Sequence, residues 1–263
     1  PKFVDVDDKT LCIDPEQIKR KISKKTKVIL PVHFGGMPSK MNEIKKIAKD
    51  NNCVVIEDAA HACGASYYNK KIGSHGDLVC FSFHPVKNLA MPTGGLISIN
   101  TNDHLKIKDS LLKKRWCGIS DRKDVNYDVE EIGWNYYMNE FSAAIGLVQL
   151  KKLDKMNIIR KNIAKRYFKE LNVIKKMPFS TNSVYHFYWI LVGNREEFRK
   201  KMNKNRIETG IHYNPIHKMS LYDKKIRLPI TEKISNMIVT LPTHPNLKNN
   251  EIDKIIRLTN EFA

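Results

Sequence analysis

Nowhere in the 263 residues does an apolar stretch approach membrane-spanning length, and the opening residues show no signal-peptide pattern. These absences argue against a spanning helix or a secretory leader and make the cytoplasm the default location. Cysteine is scarce. The five residues Cys12, Cys53, Cys63, Cys80 and Cys117 include no C-x-x-C pair, so they read as reduced thiols in or beside core elements, with neither disulfides nor zinc indicated. Acid is also in short supply: 28 Asp and Glu stand against 46 Lys and Arg, for a formal net charge of +18. A surplus of that size supplies the phosphate-dependent part of nucleic-acid affinity when it is clustered. Here the lysines are spread over Lys19 to Lys27, Lys106 to Arg115 and Arg199 to Arg206, interrupted by acids and without a nucleic-acid motif. They read as solvated helix faces that also steer an anionic substrate, and no nucleic-acid partner is expected. With 41% hydrophobic residues, the chain suits a globular protein of one large or two modest domains.

What is present concentrates between Cys53 and Asn100. The apolar run Val54-Val55-Ile56 ends in Glu57 and Asp58 and a series of small residues, the way a buried parallel strand delivers carboxylates to the C-terminal edge of an α/β sheet. A second run, Val79 to Phe83, leads to Lys87 and then Gly94-Gly95, and a third, Leu96 to Ile99, closes the unit. An acid, the hydroxyl of Ser82 and an amine at neighbouring strand ends suit a ligand with an aromatic nitrogen, a phosphate and an aldehyde, which is pyridoxal phosphate (PLP). Each residue alone has a plainer reading. Lys87 would be a solvated loop lysine, Asp58 a helix cap, Ser82 an ordinary strand serine and His61 a hydrogen-bonded core histidine. The joint pattern Asp-x-x-His, then Ser-x-x-x-x-Lys, then a glycine pair is what shifts the balance.

At these residues the sequence resembles the DegT/DnrJ/EryC1/StrS family of PLP-dependent nucleotide-sugar aminotransferases. The resemblance implies an aspartate-aminotransferase-like α/β fold, with a large domain built on a mostly parallel sheet over 1–155 and a smaller α+β domain over 156–263. It implies that Lys87 in SFHPVKN is the catalytic lysine joined to the cofactor. By the same match Asp58 in IEDAAHA pairs with the ring nitrogen, His61 lies beside the ring, and Ser82 meets the phosphate. Asn135 in GWNYYMNE matches an asparagine that reaches the phosphate of a cofactor held mainly by another subunit, which implies a homodimer; read alone it is a turn residue. Tyr137 stands where relatives carry Arg, and Thr93 where they often carry an acid.

His33, at the strand end within PVHFGG, and His212, Tyr213 and His217 in IHYNPIH match residues that line the substrate pocket. A strand-end histidine bonding loop backbone is an equal reading for His33, and a structural role is open for Tyr213. Two histidines five apart raise a metal reading, which the intervening Pro215 and the lack of a third ligand make the weaker one. The implied partners are a nucleotide-linked keto sugar and an amino-acid donor such as glutamate. The resemblance also implies that an earlier part of the large domain lies outside this sequence, which opens at Pro1 and runs straight into a predicted strand, Phe3 to Asp7.

Local patterns predict the rest. Asp14-Pro15-Glu16-Gln17 starts a helix, with Gln17 able to reach back. Lys27 to His33 is a strand, and Ser39 to Asp50 an amphipathic helix burying Met41, Ile44, Ile47 and Ala48. Strand, helix, strand in this order implies right-handed crossovers and a parallel sheet. His75 is expected at the surface. Asp103 to Trp116 is a helix, Gly118 to Asp128 a polar loop, and Asn139 to Leu171 helical with a bend near Lys155 to Asn157. Val184 to Val192 and Ile207 to Tyr213 read as strands, and Arg195 to Asn205 and Leu247 to Phe262 as helices. Three other readings stand beside the aminotransferase: a catalytically incomplete relative, a sugar dehydratase of the same family, against which Lys87 argues because that branch has histidine there, and a basic nucleic-acid binder.

Overall fold

The computed structural model describes residues 1–222 and 225–263. Helix α1 (Pro15–Lys21) starts as expected, with Asp14 accepting from the Glu16 amide, and Ile18 buried beneath it. The bond that caps it comes from Asp14 alone. Strand β1 (Val28–Ile29) is shorter than the predicted strand because Pro31 brings no N–H to the ladder. Pairing resumes at Val32, opposite Asp58, in the register that sets Val28 opposite Val54. Helix α2 (Met41–Asp50) buries Met41, Ile44, Ile47 and Ala48, the predicted stripe.

Strand β2 (Val54–Asp58) runs parallel to β1. A small hairpin, β3 (Ser66–Tyr67) with β4 (Lys70–Lys71), follows, and then β5 (Leu78–Ser82), parallel to β2, and β6 (Gly95–Ile99), antiparallel to β5. The four-stranded order is β1-β2-β5-β6, so the sheet is mostly parallel. His75 is a correction to the sequence reading: it is buried, set edge-on to Tyr67 and bonded to the Lys70 carbonyl.

Helix α3 (His104–Arg115) buries none of its residues. Where a polar loop was expected, β7 (Ile119–Lys123) and β8 (Asn126–Val129) form a hairpin. Its tight turn uses Asp124 at positive φ in place of a glycine, and Arg122 lies over the rings of Trp116 and Tyr127. Helix α4 (Glu140–Glu170) begins at Asn139, whose side chain accepts from the Ser142 amide. It continues unbroken through 155–157, where a bend was expected. Its second half is supported along its length: Ile163, Ala164 and Tyr167 enter the largest core cluster, and Asn157 and Arg160 find buried partners.

The C-terminal sheet is β9 (Lys175–Lys176), β10 (Tyr188–Leu191) and β11 (Ile238–Leu241), in the antiparallel order β11-β10-β9. Helices α5 (Arg195–Lys204), α6 (Pro229–Met237) and α7 (Asn249–Phe262) complete it. Every residue of β10 is buried, which places Tyr188, Trp189 and Ile190 at the centre of that cluster. Two predicted strands are corrected. Ile207 to Tyr213 makes a single bridge, Gly210 to Thr240, because β11 takes the place beside β10. Phe3 to Asp7 contributes only the Val6–Ile13 bridge. Asp5 instead turns its carboxylate to the first amides of α6, accepting from Ile230 and Thr231. That carboxylate is held below its usual pKa: burial raises it, and the bonds from Thr231 and Ile230 more than offset this. Leu11, Cys12 and Met37 likewise pack into the C-terminal cluster.

Among the described residues no helix is long and apolar enough to cross a membrane. All five cysteines are free, with Cys12 buried and Cys117 exposed.

Candidate active site

The site forms where β2 and β5 end side by side. Register sets Asp58 opposite Cys80, so the ends of both strands open on the same edge, the edge that in parallel sheets holds ligands. Asp58 accepts from the Ala60 amide through Oδ1 at 2.9 Å, and its second oxygen takes no bond from the described residues. That bond shapes a turn rather than the helix cap of the plainer reading. The turn carries His61 inward. After β5 the chain leaves through Ser82, whose hydroxyl accepts from the His84 amide at 3.3 Å, and enters a loop pinched shut by the Phe83–Gly94 and Met91–Phe83 bonds. Lys87 sits in that loop.

The amine of Lys87 has no hydrogen-bond or ion-pair partner among the described residues. Burial pushes its pKa down, and the Asp58 carboxylate opposes this by the smaller amount. The same carboxylate acts on Tyr213, whose phenol is pushed up mainly by burial. Asp58 and Lys87 therefore share one electrostatic neighbourhood. His61 is pushed down to about 3 by burial, then by the neighbouring charge of Lys87 and by His212. His212 is lowered by burial and by Lys87. The result is one amine, one carboxylate and uncharged imidazoles at a strand edge.

A second set of contacts was not foreseen from sequence. His186 lies against His61 with ring centroids 4.4 Å apart and planes 24° apart. Its Nδ1 bonds Asn88 Oδ1 at 3.1 Å, and Asn88 immediately follows Lys87. Asn88 Nδ2 donates to Asn157 Oδ1 and to the Val184 carbonyl, and Asn157 Nδ2 to the Cys63 carbonyl. The segment carrying His186 reaches the site because Gly35-Gly36 accepts it: the His186 amide donates to Gly35 O, and the Val184 amide to Gly36 O. Gly36 has φ +89, and a Cβ there would meet the His61 carbonyl oxygen at 2.9 Å. Only glycine allows that approach. The FGG of the PVHFGG stretch was the available signal; nothing in the sequence names its docking partner.

The predicted site residues divide. Asp58, His61, Lys87, His212 and Tyr213 come together: Tyr213 O–H lies 3.1 Å from His61 Nε2, and His212 packs on Phe187 while its Nδ1 meets Thr240 Oγ1 at 2.8 Å. Ser82 stands at the end of β5, one strand over from Asp58. His33 and His217 do not reach the site, which corrects their assignment to the substrate pocket. His33 is fully buried, its Nε2 on Glu57 Oε2 at 2.6 Å and its Nδ1 accepting from the Ser39 amide. His217 is 1% exposed and bonds Glu232 at 3.1 Å. Asn135 is exposed, bridged to Trp116 beyond the sheet edge. Among the described residues no three His, Cys, Asp or Glu side chains converge as a metal site.

The two lowered histidines give this region a pH signature. His186 is pushed down to about 2, by burial first and then by His61 and Lys87. In the unfolded chain both rings take a proton near pH 6.5, and in the folded chain only near 3 or below. Between those limits the unfolded state binds more protons, so stability is full above about 6.5 and falls as pH drops. Each ring contributes a loss of about 1.4 kcal/mol per pH unit within that window. The urea midpoint is expected to fall steadily from pH 7 to 5, and a midpoint unchanged over that range would contradict the buried, neutral pair.

A lysine relieved of part of its proton affinity, in the field of a carboxylate at the end of the neighbouring parallel strand, defines an α/β enzyme that handles carbonyl groups through an amine. The chain belongs to the DegT/DnrJ/EryC1/StrS aminotransferase family, whose sequence profile matches residues 1–259. It is 35% identical over 269 residues to GDP-perosamine synthase of Escherichia coli O157:H7, covering all of this chain and 72% of that protein. Among solved structures it is similar to PseC of Helicobacter pylori, an aminotransferase involved in the biosynthesis of pseudoaminic acid. That match has a TM-score of 0.92 and 27% identity, and covers all of this chain and 73% of PseC. It is also similar to Spr1654 from Streptococcus pneumoniae in its PLP form, with a TM-score of 0.91 and 26% identity over all of this chain and 74% of that one.

The residues present fit that cofactor. Asp58 keeps a free carboxylate oxygen, Lys87 a free amine, and His61 Nδ1 is buried without a partner, a polar atom that a ligand beside it would satisfy.

Proposed function

We propose that the protein is a PLP-dependent aminotransferase that carries an amino group from an amino-acid donor, glutamate first among them, to the ketone of a nucleotide-linked sugar in amino-sugar and cell-surface polysaccharide synthesis. The observation that carries this reading is the unpaired, half-buried amine of Lys87 under the field of Asp58 in a chain of this family. The sugar chemistry named for GDP-perosamine synthase and PseC supports the substrate class.

When bound, PLP supplies an electron sink for the carbon that gains or loses the amino group. The chain's own residues do the remainder. Asp58, with its free carboxylate oxygen, would pair with the ring nitrogen and favour its protonated form. Lys87 would hold the cofactor through Nζ, and its lowered proton affinity suits the same atom, once released, to take a proton and return it. His61 would offer its unpartnered Nδ1 to the ring, Tyr213 orients His61 from the opposite nitrogen, and Ser82 would offer a hydroxyl to the phosphate. His212 and Tyr213 form the sugar side of the pocket.

Asn135 serves a second subunit's cofactor in a homodimer. Its exposure supports this, as does the apolar surface around it, with Trp134 64%, Tyr136 70% and Phe141 84% exposed. A division between 1–155 and 156–263 falls inside α4, ahead of the residues that enter the C-terminal core. The free thiols agree with a cytoplasmic setting.

Glutamate and a panel of GDP-, UDP- and dTDP-linked 3-keto and 4-keto sugars test the proposal in the PLP-loaded protein. One member of the panel is expected to be aminated with release of one 2-oxoglutarate per amino sugar. The absence of any glutamate-dependent turnover across the panel would overturn it.

A further inference from the structure

We propose that His186 is a positioning residue of this site: with its proton fixed on Nδ1, it ties the loop of Lys87 to the C-terminal sheet and backs the ring of His61. The inference rests on the aminotransferase reading for its kinetic consequence, and on the hydrogen-bond chain alone for its structural one.

The direction of the chain follows from two groups that can only accept. The Cys63 carbonyl takes a bond from Asn157 at 3.1 Å, so the nitrogen of that amide points to it and its oxygen points to Asn88. Asn88 must then present its nitrogen to Asn157, at 2.8 Å, and the Val184 carbonyl at 3.1 Å takes the same nitrogen. The oxygen of Asn88 is left for His186, which must donate. A neutral imidazole that donates from Nδ1 keeps its lone pair on Nε2. No described residue bonds that Nε2, and it is not among the buried polar atoms without a partner, so it keeps some accessible surface.

The backbone of His186 is held from both sides. Its amide donates to Gly35 O, and its carbonyl accepts from the guanidinium of Arg160 on α4 at 3.4 Å. A ring fixed in place and in tautomer, stacked on His61, limits where His61 Nδ1 points. The residue bonded to its other side is the neighbour of Lys87. Three separate parts of the chain thus meet one residue away from the reactive amine, an arrangement that keeps a nucleophile within the narrow geometry that catalysis tolerates.

Two readouts test this. In the full chain labelled with 15N-histidine, two-bond proton–nitrogen correlation at pH 7 is expected to show His186 protonated at Nδ1 and bare at Nε2, and the opposite tautomer would overturn the proposal. This measurement needs no cofactor and reads the parent protein; the signal lost in His186→Asn assigns it. In the PLP-loaded protein, His186→Phe keeps a ring against His61 and removes the donor to Asn88. It is expected to lower kcat on the order of tenfold to a hundredfold, with KM for the sugar within about twofold, and to change the rate at which trinitrobenzenesulfonate labels Lys87 in the cofactor-free protein. His186→Asn, which restores an N–H near the Nδ1 position, is expected to return the labelling rate toward that of the parent. Unchanged kcat and labelling in His186→Phe would sink the proposal. A parent protein without transaminase activity would count against the proposed function, while the tautomer and the labelling rates would still decide the role of His186.

Discussion

Lys87→Ala is expected to abolish the borohydride-reducible link to pyridoxal phosphate together with its absorption band, and to lower amino transfer on the order of a thousandfold or more. The alanine leaves neither a nucleophile for the aldehyde nor a base for the proton, and no second lysine stands in the loop between Phe83 and Gly94. The fold should not suffer. Lys87 makes no hydrogen bond or ion pair among the described residues, and burial works against its charge, so urea stability is expected to stay within about 0.5 kcal/mol of the parent. A further consequence separates this site from a surface lysine. The charge of Lys87 contributes to lowering His61, His186 and His212, so removing it is expected to raise the proton affinity of all three. Histidine titration by NMR checks the shift, and absorbance after borohydride checks the link. Retention of the link by the variant would falsify the assignment of Lys87.

Much of this neighbourhood was legible in the sequence because it is local. Asp58 ends one apolar strand and Lys87 lies in the loop after the next, and parallel pairing then brings the strand ends together with little freedom. The stripe on α2 and the cap at Asp14 were readable for the same reason: each depends on residues within a few positions. What stayed hidden depends on distant docking. His186 is joined to Asn88 across 98 positions, and Asp5 reaches α6 across 225. No periodicity encodes such pairs. Pro31 trimmed a strand whose apolar pattern looked continuous, and Ile207 to Tyr213, interrupted by Glu208 and Gly210, lost its place to the β-branched Ile238–Leu241 of β11. His33 and His217 were misplaced because a motif gives a residue's position along the chain, and not which way its side chain turns.

His33 has another task, which sets the second large effect. Its Nδ1 accepts from the Ser39 amide at 3.0 Å, and an amide can only donate, so the ring proton resides on Nε2 and is given to Glu57. The other oxygen of Glu57 accepts from the Gly76 amide. Both side chains are fully buried. Glu57→Leu keeps the volume and removes both acceptors, leaving an imidazole N–H and a backbone N–H in the interior with no water to turn to. Each stranded donor costs about 1–3 kcal/mol, and two are stranded at once. Small domains hold only about 5–15 kcal/mol in total, so the variant is expected to lose much of its stability. Because the His33 amide bonds the Asp58 carbonyl, the end of β2 should loosen with it, and the affinity for pyridoxal phosphate should fall in variant protein that still folds. Urea unfolding at pH 7 measures the first effect and cofactor titration the second. A stability loss below about 1 kcal/mol would mean that the two donors find other acceptors, and that Glu57 is not what holds the strand end carrying Asp58 in place.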